Sequence, residues 1–327
     1  MNPEKKGVKS VEEVYLVAQQ IFVMFIIAAI GYIATRAGVV DEAVRRSLTD
    51  ILLLIVTPAM FLDCMQAPFD AAMLHDFFLS VGLGFLAFLL TILAARYLLF
   101  GGKWTIEKAI DRCCVVYSNA GFIGIPLVAA GWGDKGIMLA TGYILAFNIV
   151  SWTHGITEIG RGKGHGMITL KQLATTPIYW AIALGVPMYV FSIRLPAPLA
   201  SACAYLGDLN TGLAMLVLGA FLATTGLRHL FDSARVYLLS ALRLVVFPAV
   251  LLVIYWLLGL QRFASDVDVM LIHAAQMSAP TAFMVAMFAE RVGEDPDFAT
   301  KVITVSSLLS IVTVPGIIWF AKVLFTL

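Results

Sequence analysis

Charge is what this sequence has least of. Only 13% of its 327 residues are charged, while 61% are hydrophobic, and the mean hydropathy is +0.92. A soluble domain carries about a quarter charged residues, so a soluble globular fold would expose far too much apolar surface to water. Basic residues are not concentrated anywhere. The 22 Lys and Arg are offset by 21 Asp and Glu, leaving a net charge of +1, and they fall between apolar stretches, which excludes a nucleic-acid partner. Cysteine is scarce, and Cys64, Cys113, Cys114 and Cys203 show neither zinc nor disulfide spacing; they read as small apolar packing residues. Histidine is scarce too. His154, His165, His229 and His273 are scattered, and no H-E-x-x-H or G-x-G-D signature accompanies them. That excludes the membrane proteases and lipid-modifying enzymes, and no metal or cofactor is expected.

What the sequence has in abundance is long apolar runs. About ten spans can be marked: 14–35, 45–65, 76–99, 109–131, 137–158, 173–194, 199–225, 234–258, 268–290 and 298–322. Each is long enough to cross about 30 Å of hydrocarbon. The polar opening MNPEKKGVKSVEE precedes an apolar run too long for a cleaved signal, so that run is expected to remain as the first helix. Charges and turn residues gather in the breaks, at Asp41-Glu42, Phe100 to Lys103, Gly160 to Gly166, Pro196 to Pro198 and Gly293 to Asp297.

The loop RGKGHG, Arg161 to Gly166, divides the chain nearly in half. A shift of 161 residues superposes the five spans of the first half on the five of the second, without gaps. Asn119 then falls on Pro280, Asp134 on Asp295, Gly155 on Gly316 and Pro58 on Gly219. Residues 1–158 and 173–327 are therefore expected to be two five-helix repeats, joined by a linker at 159–172. Five is odd, so the second copy crosses the membrane in the opposite sense, giving the inverted repeat common among secondary transporters. Lys and Arg number 14 in one set of loops and 7 on the opposite side, three of the seven being Lys5, Lys6 and Lys9 of the N-terminal tail. The positive-inside rule puts the larger set in the cytoplasm and both termini outside a cell (inner) membrane.

Within the fourth span lies SNAGFIGIPL, Ser118 to Leu127. Pro126 removes a helical N–H, Gly121 and Gly124 permit unwound backbone, and Asn119 offers an amide that both donates and accepts. Broken backbone at membrane depth is tolerable only inside protein or beside water. The ninth span has its own break at matching depth, AAQMSAPTAF, with Ser278, Pro280 and Thr281. A single proline could be an ordinary kink. Two breaks related by the repeat are expected to cross near the midplane, presenting helix N–H ends to an anion and C=O ends to a cation.

The pattern N-x-x-x-x-G-I-P-L at Asn119 to Leu127 resembles the fourth-helix motif of the auxin efflux carrier family. The stretch Ser278 to Pro315 is similar to that family's ninth and tenth helices, and Ile51 to Met65 to its second. The resemblance covers essentially the whole chain. It implies the ten-helix fold shared with bile-acid sodium symporters, with a scaffold of helices 1, 2, 6 and 7. Helices 3–5 and 8–10 would form a mobile transport domain, working as an elevator. It also implies a small organic anion as substrate, malate-like, malonate-like or auxin-like, and a homodimer. Asn119 and Pro126 match the first crossover and Pro280 the second; the long cytoplasmic loop of plant members is absent.

Other polar residues within spans are candidates by default. Asp63 could face the anion or couple protons, or be a wetted interfacial carboxylate; Asp208 and Asn210 share that ambiguity. Asn148 and Gln276 could line a cation or substrate site, or simply bond between helices. His154 and Glu158, four apart, are expected to pair with each other. His273 could couple protons. Arg243 is expected to snorkel toward the cytoplasm, with attraction of an anion as the alternative. Na+ held by Ser118, Asn119, Asn148 and Gln276, H+ carried by Asp63 or Asp208, and uniport all remain open. The overall expectation is a secondary transporter of a small organic anion at the crossover, against a sodium-coupled symporter or a sensor or channel on the same fold.

Overall fold

The computed structural model describes residue 19 and residues 22–161, 177–224 and 233–326. Its elements, among the described residues, are helices. They are α1 (Phe22–Arg36), α2 (Glu42–Cys64), α3 (Ala71–Leu99), α4 (Ile106–Val116), α5 (120–132) and α6 (134–160). After the undescribed segment come α7 (Pro177–Val190), α8 (Ala197–Thr224), α9 (Ala234–Leu257), α10 (Asp268–Ser278), α11 (Met284–Arg291) and α12 (Asp297–Thr326). Among the described residues, six helical stretches are long and apolar enough to cross a membrane, and α1 and α7 are shorter apolar helices. The expected tail cations Lys5, Lys6 and Lys9, and most of the linker at 159–172, lie outside the described residues.

Local chemistry sets the boundaries. Asp41, Asp70 and Thr105 cap α2, α3 and α4, their side chains accepting from Val44 N and Ala72 N at 2.8 Å and from Lys108 N at 3.3 Å. The stretch Ala120–Gly160 is one run of helical bonds, but Gly133 sits at φ 56°, ψ −142°, which a side chain would disfavour. The chain bends there and divides α5 from α6. Pro58 and Pro248 lack the N–H that a regular turn needs. Each follows a π turn, Leu52–Val56 and Leu242–Val246, and the Leu52 carbonyl accepts from both the backbone N–H and, at 2.8 Å, the Oγ1 of Thr57.

In lipid, water provides no hydrophobic push between helices, so close packing must hold them. The helix α2 packs on α7 and α8, and α1 crosses α8 so tightly that a Cβ on Gly219 would lie 1.8 Å from Ala28 O. A second group packs α3 along α6, and α12 against α4, α9 and α10. The outward faces are apolar: Leu98 is 80% exposed and Val312 78%. This inside-out distribution suits a hydrocarbon solvent rather than water.

Candidate functional site

The helix α4 ends at Val116 because the next residues leave helical space: Tyr117 is extended (φ −95°, ψ 114°) and Asn119 lies at φ −77°, ψ 53°. Asn119 then starts α5. Its Oδ1 accepts from Phe122 N at 3.4 Å, and its own carbonyl accepts from Ile123 N and Gly124 N. A π turn over Ala120–Gly124 follows, and Pro126 comes two residues after it, in the same order as Pro58 and Pro248 after their π turns. The helix α10 stops at Ser278. Ala279 precedes Pro280 and is extended (ψ 147°), as the proline ring demands. The chain resumes helix at Met284.

The two breaks touch. Asn119 N donates to Pro280 O at 2.6 Å, Ala282 N donates to Tyr117 O at 2.9 Å, and Ser118 and Thr281 form an isolated antiparallel β-bridge. Thr281 Oγ1 donates to Cys114 O at 2.9 Å, while Thr281 N donates to Ser306 Oγ at 3.2 Å. Each break thus satisfies backbone groups of the other where no water is at hand. The C=O ends of α4 and α10 converge on one side chain. Arg243, 3% exposed, donates from Nη1 to Val115 O (2.9 Å) and Val116 O (3.2 Å), from Nε to Ala279 O (3.2 Å), and from Nη2 to Met277 O. Among the described residues it has no carboxylate partner. The π turn before Pro248 contains Arg243.

Beside the first turn of α5 are two buried amides with orphan atoms. Nδ2 of Asn119 has no partner, nor do Oε1 and Nε2 of Gln276. Gln276 lies against Gly124 so closely that a Cβ there would sit 2.3 Å from Oε1. Unpaired buried amides are rare in folded proteins; Asn119 stands at the N–H end of α5, and Gln276 directly precedes Met277, whose carbonyl accepts from Arg243. The arrangement suits an anion: donors and positive partial charge on one side and, among the described residues, no carboxylate paired with Arg243.

Of the residues picked from sequence, Ser118, Asn119, Gly121, Pro126, Ser278, Pro280, Thr281 and Gln276 all lie in or against the two breaks. Ser118 Oγ is 3.2 Å from Tyr143 OH, and Ser278 Oγ donates back to Ala275 O at 3.3 Å. Asp63 and Asp208 are elsewhere. The charged neighbours of Asp63 are Asp134 and Asp208, and Asp134 is ten residues beyond Gly124, about 15 Å along the chain. Asn148 is half-buried and donates to its own helix, to Ile144 O at 3.0 Å. Asn210 is buried on α8. His273 Nε2 meets Ser80 Oγ at 2.8 Å, and that hydroxyl donates to Leu139 O, so Nε2 carries the proton and Nδ1 is left without a partner.

Two expectations are corrected. His154 and Glu158 do not pair: His154 Nδ1 bonds Tyr117 OH at 2.8 Å, and Glu158 takes Arg112 at 2.5 Å. Arg243 does not snorkel, because four carbonyls freed by the two breaks hold it at depth. Sequence reasoning missed its role there. The signal was Pro248, five residues on, which announces a distorted turn around it.

On the side of α2 the junction is roofed by aromatics. Phe283 stacks on Phe221 of α8 (centroids 4.4 Å apart) and meets Phe122 edge-on (5.7 Å), while the Arg45 guanidinium lies 4.0 Å over the Phe221 ring. Arg46 Nη2 bonds Glu290 Oε1 at 2.9 Å, tying α2 to the end of α11.

Comparison with known proteins agrees with this architecture. A family model described as "Membrane transport protein" matches residues 16–318. An "Uncharacterized transporter" of Methanothermobacter thermautotrophicus is 26% identical over 300 residues, 89% of this chain and 94% of that protein. A "Putative malonate transporter" of Rhizobium meliloti is 22% identical over 304 residues, 90% and 92% of the two chains. "Auxin efflux carrier component 1" of Arabidopsis thaliana is 28% identical over 147 residues, 43% of this chain and 22% of that longer one. The chain is a membrane protein that belongs to the membrane transport family of the auxin efflux carriers.

Proposed function

We propose that the protein carries a small organic anion of the carboxylate class across the cell's inner membrane, binding it where the two broken helices meet. The observation that carries this reading is Arg243: one buried guanidinium, with no carboxylate partner among the described residues, bonded to both breaks. It makes the junction electropositive in a medium of low dielectric. The first N–H groups of α5 add to that potential, and the orphan amides of Asn119 and Gln276 supply donors for carboxylate oxygens. The printed name of the Rhizobium relative supports a dicarboxylate such as malonate as the first compound to try.

In this reading residues 1–158 and 173–327 are inverted five-helix repeats and the meeting breaks are their crossover. Helices α3–α6 and α9–α12 then move against α1, α2, α7 and α8, exposing the junction to alternate sides. Both termini face outward. Dimerisation rests on the family resemblance alone. The aromatic roof and the Arg46–Glu290 pair join the two groups of helices and suit a state closed toward the cation-rich face.

A sodium-coupled mechanism is disfavoured by the same arginine. The four carbonyls that a cation would seek at the helix C-termini already accept from Arg243, so transport is expected to be independent of sodium. The test is counterflow in proteoliposomes: load malonate, add a labelled trace outside, and vary sodium and the pH gradient. Saturable exchange that disappears in Asn119→Ala supports the reading and separates a carrier from a channel. Normal exchange by a folded Asn119→Ala variant refutes the site.

A further inference from the structure

Away from the junction, a cavity of about 330 Å³ opens between the end of α3, the α3–α4 turn, α4 and the end of α6. Three of its lining side chains are arginines, Arg96, Arg112 and Arg161. Lys108 borders it, its Nζ donating to Gly101 O at 2.9 Å. Among the described residues, one carboxylate pairs with them. Glu158 accepts from Arg112 Nη1 at 2.5 Å and lies 3.6 Å from Arg96 Nη1. Among the described residues the other nearby carboxylate, Asp111, is taken by Arg235 at 2.8 Å, so the hollow stays cationic. Arg112 is 4% exposed; its Nη2 donates to Phe100 O, and its Nε has no partner. An unpaired N–H on a buried guanidinium is costly to leave so, and here it belongs to a side chain that lines a cavity.

The rim says where that cavity sits. Tyr97 is 68% exposed and Leu98, beside it, 80%, apolar surface that only lipid would cover comfortably. Trp104 is anchored there, donating from Nε1 to Glu158 O at 3.0 Å. Tyr and Trp next to arginines mark the boundary between hydrocarbon and water, the level at which phospholipid phosphates lie.

We infer that this cavity is a binding site for a phosphate group, supplied by the headgroup of an anionic phospholipid or by a soluble phosphate. Guanidiniums match phosphate oxygens in geometry and charge, and basic pockets at a membrane face take anionic headgroups. The site does not depend on what the protein transports, since it shares no residue with the junction.

The test is native mass spectrometry of the detergent-solubilised protein, wild type and R96Q/R161Q, titrated with phosphatidylglycerol or phosphatidylcholine. Melting with added inorganic phosphate is followed in parallel. At about 1 kcal/mol per basic residue, affinity for phosphatidylglycerol should fall roughly fivefold in R161Q and roughly 30-fold in the double variant. R161Q alone alters an exposed side chain, so it reads the site even if the double variant folds poorly. Preference for phosphatidylglycerol over phosphatidylcholine that these variants lose assigns the lipid. Stabilisation by inorganic phosphate that they lose, without lipid preference, assigns a soluble phosphate. Equal binding of both lipids with no phosphate effect, or a phosphatidylglycerol preference and a phosphate stabilisation both kept by folded R161Q, overturns the inference.

Discussion

The two broken helices do the same thing to the backbone by different chemistry. The second break is closed. Ala279, Pro280 and Thr281 are fully buried, Pro280 O and Thr281 are bonded to the first break, and Thr281 N is bonded to Ser306. The first break is open-ended. Its Asn119 keeps an unpaired amide, its π turn leaves Gly121 and Phe122 partly exposed, and Gly124 brings the unpaired Gln276 against it. The difference divides the labour: the second break is the brace, and the first is the edge that can still bond to something else.

The widest blow to that division is Arg243→Gln, which strips both helix ends of their shared cation and leaves up to four buried carbonyls unpaired. Stability should fall by roughly 3 kcal/mol or more, measured by thermal unfolding in detergent, and transport should vanish. Next is Gly124→Ala. A methyl in the space of Gln276 should cost about 1–3 kcal/mol, and Gln276→Ser in the same protein should recover much of it. Unchanged melting of Gly124→Ala would mean the first break is looser than the contact implies. Asn119→Ala and Thr281→Val then sharpen the contrast directly. Asn119→Ala loses only a long cap bond on α5, so its stability should fall by no more than about 1 kcal/mol, while transport should fall by about tenfold or more, the equivalent of roughly 1.4 kcal/mol. Thr281→Val removes a bond to Cys114 O and should lower stability by about 1 kcal/mol while leaving substrate affinity alone. If both variants lose stability and neither loses affinity, the two breaks are equivalent braces. The smallest effect is expected from Glu290→Gln. Its pair with Arg46 is exposed, so melting should not change, and only the balance between inward- and outward-facing states, read by accessibility labelling, should shift.

Much of this was legible from residue order. Apolar runs of spanning length locate the helices, because length and hydropathy are properties of a segment taken alone. SNAGFIGIPL and SAPTAF announce their breaks for the same reason: proline and glycine act on their own backbone. Pairings between distant segments were not legible. His154 and Glu158 share a spacing that favours a pair, yet each finds a better partner, Tyr117 just past the end of α4 and Arg112 on it. Arg243 looks in one dimension like a cation escaping the membrane, since nothing near it in the chain reveals that four carbonyls 34 to 128 residues away will be turned toward it. Asp63 stood out as a charge in a span, but its place beside Asp134 and Asp208 depends on how α2 meets the bend at Gly133.

Arg243 also has an electrical consequence. In a carrier whose α9 travels with the junction, a fixed positive charge crosses part of the membrane field on every cycle. Loaded with a monoanion, the moving unit is neutral there. Empty, it carries +1, and with a dianion −1. A potential of 100 mV acts on one elementary charge with about 2.3 kcal/mol over the full field. For a monoanion, voltage would then govern the return of the empty carrier rather than the passage of the cargo, and homoexchange, which skips the empty return, would be insensitive to it.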